Sequence, residues 1–258
     1  GADPLDSTCS DQVVPAYSAH LGDCVQGMRV GGPKEFFAND LNSAVAETIE
    51  ASLKELEKLG AKLVDVSLPS TSLGVSTYYV IAPAEASANL SRYDGVRYGY
   101  RCDNPTDLQD LYLRSRTEGF GEEVKRRILI GAFTLSAASY DQYFMKAQQV
   151  RRLISQEYED VLSKVDVIAG PSAPNTAFAL NDSSKSITDM YMEDVFTIGA
   201  NLTGLPAMSI PAGIVEGLPV GMQLIGRRFG EVDLLRLAHQ FQQRTTWHTL
   251  TPKMEERH

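Results

Sequence analysis

The chain has 258 residues, of which 43% are hydrophobic and 22% are charged, and this is the composition of an ordinary globular protein. Its formal net charge of -9 argues against direct binding to nucleic acid, because proteins that grip phosphates by themselves carry a basic stripe. No apolar run approaches the roughly 20 residues that span a bilayer, and the first residues have no signal-peptide pattern. We therefore expect a cytoplasmic protein with no membrane partner.

The cysteines and histidines show no spacing typical of a disulfide framework or a metal site. Cys9, Cys24 and Cys102 are odd in number and include no C-x-x-C pair. The four histidines lack the spacing of zinc ligands. We expect free thiols and no bound metal.

The first part of the chain predicts a strand, a helix and a second strand. The strands are expected at 28–30 and 62–66, and the helix at 41–59 with Asp40 as its N-cap. Helical spacing places one apolar face at Leu41, Val45, Ile49, Leu53 and Leu56. Such a βαβ unit pairs its two strands in parallel.

Beyond residue 76 the pattern is mainly helical and ends with short strands and a helix. The expected elements, in order, are helices at 106–119, 121–138 and 140–165, a strand at 167–169, a helix at 190–202, strands at 208–210 and 220–225, and a helix at 232–244. Strands mixed with helices in this way indicate an α/β protein. No composition shift marks an internal domain boundary.

Motifs alone identify no catalytic residue. The chain contains no G-x-S-x-G elbow, no S-x-x-K sequence and no phosphate-binding G-x-x-x-x-G-K-[ST] loop. A Ser/His/Asp triad is not excluded by spacing, because its members can be distant in sequence. Nothing in the pattern singles out one serine.

Five longer segments are more specific. They are YYVIAPAEASANLSRYDGVRYG, EGFGEEVKRRILIGAFTLSA, DVIAGPSAPNTAF, MYMEDVFTIGANLTGLPAMSIPAG and GLPVGMQLIGRRFGE. In order and spacing they resemble the glutaminase subunit, which is the A subunit, of glutamyl-tRNA(Gln)/aspartyl-tRNA(Asn) amidotransferases, within the amidase signature family. The resemblance covers nearly the whole chain.

The resemblance implies the amidase signature fold, an α/β structure with a mixed sheet covered by helices. It also implies that residues 1–258 form the C-terminal portion of one such domain, without a confident internal boundary. The family's catalytic Ser, second Ser and Lys lie in a Gly/Ser-rich core that this sequence lacks. We therefore expect no catalytic residue on this chain, and we expect the 258 residues alone to be inactive.

Free glutamine is the substrate that the resemblance implies, and each end of this zwitterion needs an opposite charge. The family match places Arg127 as the carboxylate anchor, Asp194 as the ammonium anchor and Tyr78 as a hydroxyl that lines the glutamine pocket. Structural interpretations stay open for all three. Arg127 can be a solvated helix charge, Asp194 can pair locally or cap a helix, and Tyr78 can be core with Tyr79 in the pocket instead.

A multi-subunit reaction follows from the same resemblance. Ammonia from glutamine passes to the B subunit, which uses ATP and Mg to convert Glu-tRNA(Gln) to Gln-tRNA(Gln), while the C subunit holds the two together. The B subunit is expected to hold the tRNA, and no cofactor is expected on this chain. Two alternatives remain, an amidase signature hydrolase of another amide and a non-catalytic fragment or interaction module.

Overall fold

A computed structural model describes residues 1–38, 41–180 and 186–252. The chain forms two compact units. The sheet unit comprises Gly1–Thr71 and Gln156–His258, and the helical unit comprises Ser72–Ser155. One boundary falls inside a 3-10 helix and the other inside an α-helix. No Gly/Pro-rich linker marks either boundary, which is why composition gave no sign of the division.

The described part of the sheet unit contains one five-stranded mixed sheet. Its strands are β1 (Arg29–Pro33), β2 (Lys62–Val66), β3 (Val167–Pro171), β4 (Ala207–Val215) and β5 (Leu218–Gly226). The order is β2-β1-β3-β5-β4, with β1 parallel to β2 and β3, and β5 antiparallel to β3 and β4. The predicted parallel βαβ unit and the mixed α/β sheet are both confirmed.

Helices occupy most of the remaining described chain. The α-helices are α1 (Tyr17–His20), α2 (Ser43–Lys58), α3 (Gly74–Leu90), α4 (Leu108–Gly119), α5 (Glu122–Thr134), α6 (Lys146–Leu162), α7 (Ile187–Met192), α8 (Ile198–Thr203) and α9 (Glu231–Arg244). Short 3-10 helices lie at Lys34–Phe37, Pro69–Leu73 and Trp247–Thr249, and a π-helical turn lies at Tyr140–Met145. Among the residues that the structure describes, no helix combines the length and apolarity of a membrane span.

Helix α2 buries its predicted apolar face against the sheet. Val45, Ile49 and Leu56 are completely buried and belong to the main hydrophobic core. The helix begins later than expected, because the side chain of Asn42 accepts hydrogen bonds from two backbone N–H groups of the first turn at 2.9 and 3.3 Å. Asp40, the expected N-cap, lies outside the described residues.

The prediction of a single helix at 190–202 is wrong, since the chain forms α7 and α8 with a turn between them. The ring of Phe196 in this turn packs against Phe36 with centroids 5.4 Å apart. Its carbonyl accepts a hydrogen bond from the buried Gln223 amide at 2.9 Å. These long-range contacts favour a turn where local propensity favours a continuous helix.

Candidate functional site

Helices α3 and α5 pack closely in the helical unit because Gly131 has no side chain. A Cβ at this position would lie closer than 3.0 Å to the backbone of Pro83 and to the side chain of Ser87. Tyr79 precedes Pro83 by one helical turn, and Arg127 precedes Gly131 by one turn. The close contact therefore brings Tyr79 and Arg127 against one another.

Arg127 is held by two neighbours within this unit. Its Nε donates a hydrogen bond to Glu123 Oε1 at 3.0 Å, and its guanidinium carbon lies 5.6 Å from the centroid of the Tyr79 ring. Burial works to lower the pKa of Arg127, but the hydrogen bond and charge of Glu123 outweigh it and the pKa is raised. The side chain is 32% exposed. Arg127 is therefore a permanent, partly desolvated cation.

One edge of the Arg127 guanidinium remains open. Among the described residues, its two Nη nitrogens have no hydrogen-bond acceptor. An Nη1–Nη2 edge is one of the two faces on which arginine binds a carboxylate with two parallel hydrogen bonds. The local geometry therefore suits an external carboxylate.

Tyr78 and Tyr79 form a half-buried aromatic pair beside this cation. Their rings meet edge to face, with centroids 5.2 Å apart and planes at 86°. The Arg127 guanidinium carbon lies 5.6 Å from the centroid of the Tyr79 ring, and Tyr78 packs against that ring. Tyr79 therefore makes the ring contact with the cation, and Tyr78 is linked to Arg127 through Tyr79.

Asp194 lies in the sheet unit, on the turn between α7 and α8. Its backbone carbonyl accepts hydrogen bonds from the N–H groups of Thr197 and Ile198 at 3.0 and 3.1 Å. The side chain is exposed. Since Phe196 anchors the turn to the sheet through Gln223, Asp194 extends from a well-supported backbone.

The structure adds Glu123 to the residues found by sequence. Glu123 and Arg127 are separated by four residues on one helix, the spacing at which an acid and a base meet on a helix surface. That spacing is readable from the sequence and could have identified the pair. The contact of Tyr79 with Arg127 could not be read in this way, because it depends on how α3 and α5 pack.

Two serines from distant segments also meet in the sheet unit. The hydroxyls of Ser172 and Ser209 are 2.6 Å apart, and a Cβ at Gly221 would lie 2.6 Å from the Ser209 oxygen and 2.9 Å from the Ser172 oxygen. Among the described residues these hydroxyls bond to each other and to no basic side chain. A serine nucleophile needs an adjacent base, and the part of the chain that the structure describes supplies none to this pair.

Within the described ranges, no three His, Cys, Asp or Glu side chains come close enough to hold a metal ion. The three cysteines are free thiols.

Comparison with known sequences gives relatives of high identity. The chain is 55% identical to the A subunit of glutamyl-tRNA(Gln) amidotransferase from Marinobacter nauticus, over 98% of this chain and 52% of that protein. It is 57% identical to the protein of the same name from Saccharophagus degradans, over 97% of this chain and 52% of that protein. The chain thus spans about half the length of the curated relatives it matches.

Solved structures agree with these sequence matches. The crystal structure of the glutamyl-tRNA(Gln) amidotransferase A subunit from Thermotoga maritima superposes with a TM-score of 0.71 at 44% identity, over 92% of this chain and 47% of that one. A bacterial aryl acylamidase of the amidase signature family, 18% identical, shares the fold with a TM-score of 0.70 over 92% and 48%. A family profile described as Amidase matches residues 1–235, and the chain therefore belongs to the amidase family.

Proposed function

We propose that this chain is the substrate-binding part of the glutamine-hydrolysing A subunit of a tRNA-dependent amidotransferase, which supplies ammonia for the conversion of Glu-tRNA(Gln) to Gln-tRNA(Gln). The observation that carries the proposal is the Nη edge of Arg127, a permanent and partly desolvated cation, which meets no acceptor in the described ranges. Free glutamine has an α-carboxylate that needs such a group, whereas a simple neutral amide does not. The relatives, which are A subunits of glutamyl-tRNA(Gln) amidotransferases, support glutamine as the substrate.

Each of the three predicted residues has one role in this proposal. Arg127 binds the α-carboxylate with two parallel hydrogen bonds. Tyr78, which packs against the Tyr79 ring that contacts Arg127, offers a phenolic hydroxyl as donor or acceptor to the bound glutamine. Asp194 pairs with the α-ammonium group.

The nucleophile is assigned to a part of the protein outside these 258 residues. Among the described residues, the Ser172–Ser209 pair has no activating base, and the sequence lacks the Gly/Ser-rich core that the family resemblance led us to expect. The B and C subunits of the amidotransferase are the proposed partners, with ATP, Mg and tRNA held by the B subunit. The net charge of -9 is in keeping with tRNA binding by the partner rather than by this chain.

Glutamate release from glutamine by the native gene product that carries this chain tests the proposal. Loss of two charge-assisted hydrogen bonds in Arg127→Ala is expected to raise KM for glutamine by at least about 150-fold, since each such bond contributes about 1.5–3 kcal/mol. Arg127→Lys keeps the charge but loses the planar fork, and we expect an intermediate KM. L-glutaminamide, which lacks the carboxylate, should bind wild type poorly.

Arg114→Ala is the matched control. Arg114 lies in the same unit and donates its Nε to Glu118 Oε1 at 3.0 Å, the same contact that Arg127 makes with Glu123. Its loss should leave KM unchanged. Wild-type protein that releases no glutamate from glutamine, or equal KM values for Arg127→Ala and Arg114→Ala, would contradict the proposal.

A further inference from the structure

We infer that Glu123 and Tyr79 are positioning residues for Arg127, and that they turn its Nη edge toward the α-carboxylate of the substrate. This inference rests on the proposed function for the identity of the substrate. It adds two residues that touch Arg127 to those that were expected to touch glutamine itself.

Glu123 is well placed to orient its neighbour because both of its carboxylate oxygens are engaged. Oε1 accepts the Nε–H of Arg127 at 3.0 Å, and Oε2 accepts a hydrogen bond from Arg126 Nη1. Arg126 thereby restrains the carboxylate through the oxygen that Arg127 does not use. A carboxylate held at both oxygens can fix the direction of a guanidinium better than one that rotates freely.

The Arg127 nitrogen that bonds to Glu123 determines which edge of the guanidinium is left for a ligand. A guanidinium offers a carboxylate either its Nε–Nη edge or its Nη1–Nη2 edge. Since Glu123 takes Nε, the Nη1–Nη2 edge at the end of the side chain is left for a ligand. The ligand must then approach Arg127 end-on.

Tyr79 restricts the remaining motion. Its ring centroid lies 5.6 Å from the Arg127 guanidinium carbon, a distance typical of a cation–π contact. Tyr78 packs edge-on against Tyr79 and supports the ring. The hydrogen bond from Nε to Glu123 and the contact with this ring thus restrain the guanidinium at two points.

Charge balance shows why Arg126 matters to this arrangement. Glu123 alone would neutralise Arg127 and weaken its attraction for a substrate carboxylate. With Arg126 on the second oxygen, the three side chains together carry one net positive charge. The cluster can therefore orient Arg127 and still attract an anion.

The alternative is that Glu123 and Arg127 form an ordinary surface pair on a helix. An ordinary pair at this spacing stabilises the helix slightly, and it would not alter how Arg127 binds a ligand. Glu118 and Arg114 make the same kind of side-chain contact on α4. The two interpretations differ in what happens to Arg127 when its neighbour is changed.

The experiment uses the native gene product with ¹⁵N-labelled arginine and follows solvent exchange at the Arg127 Nε–H in the absence of substrate. Glu123→Ala should speed this exchange about 10-fold, whereas Glu123→Gln, which keeps an acceptor oxygen, should stay near wild type. In Glu123→Ala, KM for glutamine should rise about 10-fold while kcat stays within about twofold of wild type. In Glu123→Gln, KM should stay near the wild-type value. Tyr79→Leu should raise KM in the same direction.

Glu118→Ala is the control and should leave both quantities unchanged. Unchanged Arg127 exchange and unchanged KM in Glu123→Ala would overturn the positioning role. If exchange responds to Glu123 as expected while wild-type protein neither binds nor hydrolyses glutamine, the positioning of Arg127 stands and the proposed function fails.

Discussion

Gly131 of α5 lies directly against the carbonyl of Pro83 in α3, and this contact sets the distance between the two helices that carry Arg127 and Tyr79. A Cβ at 131 would meet backbone atoms of Pro83, which cannot move as the end of a flexible side chain can. In Gly131→Ala the helices must separate. Overpacking of this kind costs about 1–3 kcal/mol. We therefore expect Gly131→Ala to lower the free energy of unfolding by this amount, as measured by urea unfolding.

Under the proposed function the same change should weaken glutamine binding, because Tyr79 and Arg127 lie one turn from the contact. Gly121→Ala, just before the same helix, is the control. A Cβ there would have no heavy atom within 4 Å, and the backbone φ of -67° is allowed for alanine. Similar unfolding curves for the two variants would show that α3 and α5 are not packed as described.

Asp166 joins strands β1, β3 and β5 at one end of the sheet, and its role depends on pH. It accepts hydrogen bonds at 2.8 Å from both the backbone N–H and the Nη2 of Arg29, and at 3.1 Å from Arg227 Nη2. The hydrogen bond from the Arg29 side chain is the largest cause that holds the pKa of Asp166 below its ordinary value of 3.8. The folded state therefore favours the charged carboxylate.

A lowered pKa in the folded state contributes stability that is complete above the unfolded value and is lost as pH falls through the folded value. Asp166→Asn should therefore lower the free energy of unfolding by about 1–3 kcal/mol at pH 7, and the difference from wild type should shrink below about pH 3.8. Urea unfolding between pH 7 and pH 3 measures this difference. Asp65→Asn, at an exposed position of β2, should show little change at any pH, and a pH-independent loss in Asp166→Asn would refute the electrostatic explanation.

The fold was predictable wherever its cause was local. The apolar spacing of α2 is visible in Val45, Ile49 and Leu56, and all three are buried. The prediction of one helix at 190–202 was wrong, because the turn that divides it depends on Phe36 and Gln223, which are distant in sequence from that turn. Propensity describes neighbours along the chain and carries no information on such contacts.

In the candidate site, too, some residues were predictable from the sequence and others were not. Arg127 and Tyr78 came from a family resemblance, and Glu123 was readable from its helical spacing to Arg127. The contact of Tyr79 with Arg127 depends on the close packing at Gly131. It could be known only from the structure.

Gln223 links the sheet to the turn that carries Asp194, and its loss should affect both stability and binding. The side chain is 4% exposed and donates to the Phe196 carbonyl at 2.9 Å. Gln223→Leu leaves this carbonyl without its donor, and we expect a loss of about 1–3 kcal/mol in the free energy of unfolding. KM for glutamine should rise with kcat little changed if Asp194 binds the ammonium group. Gln243→Leu, at an exposed position of α9, should alter neither quantity.

Tyr158 is buried, and removal of its hydroxyl oxygen should stabilise the protein. Its hydroxyl has no hydrogen-bond partner among the described residues, and burial raises its pKa far above the ordinary value of 10.0. Tyr158→Phe removes this uncompensated polar group, so we expect the free energy of unfolding to rise by about 1 kcal/mol. A loss of more than about 1 kcal/mol would show that the hydroxyl is hydrogen-bonded in solution.

Gly199 offers an independent check on the position of the same hydroxyl. A Cβ at 199 would lie closer than 3.0 Å to the hydroxyl oxygen of Tyr158 and 2.8 Å from its Cζ. Gly199→Ala should therefore destabilise wild type by about 1–3 kcal/mol. Because Tyr158→Phe removes the nearer atom, the cost of Gly199→Ala should be smaller in that background, with a coupling energy of about 0.5–1 kcal/mol in a double-mutant cycle. Strictly additive effects would mean that the Tyr158 hydroxyl does not face Gly199.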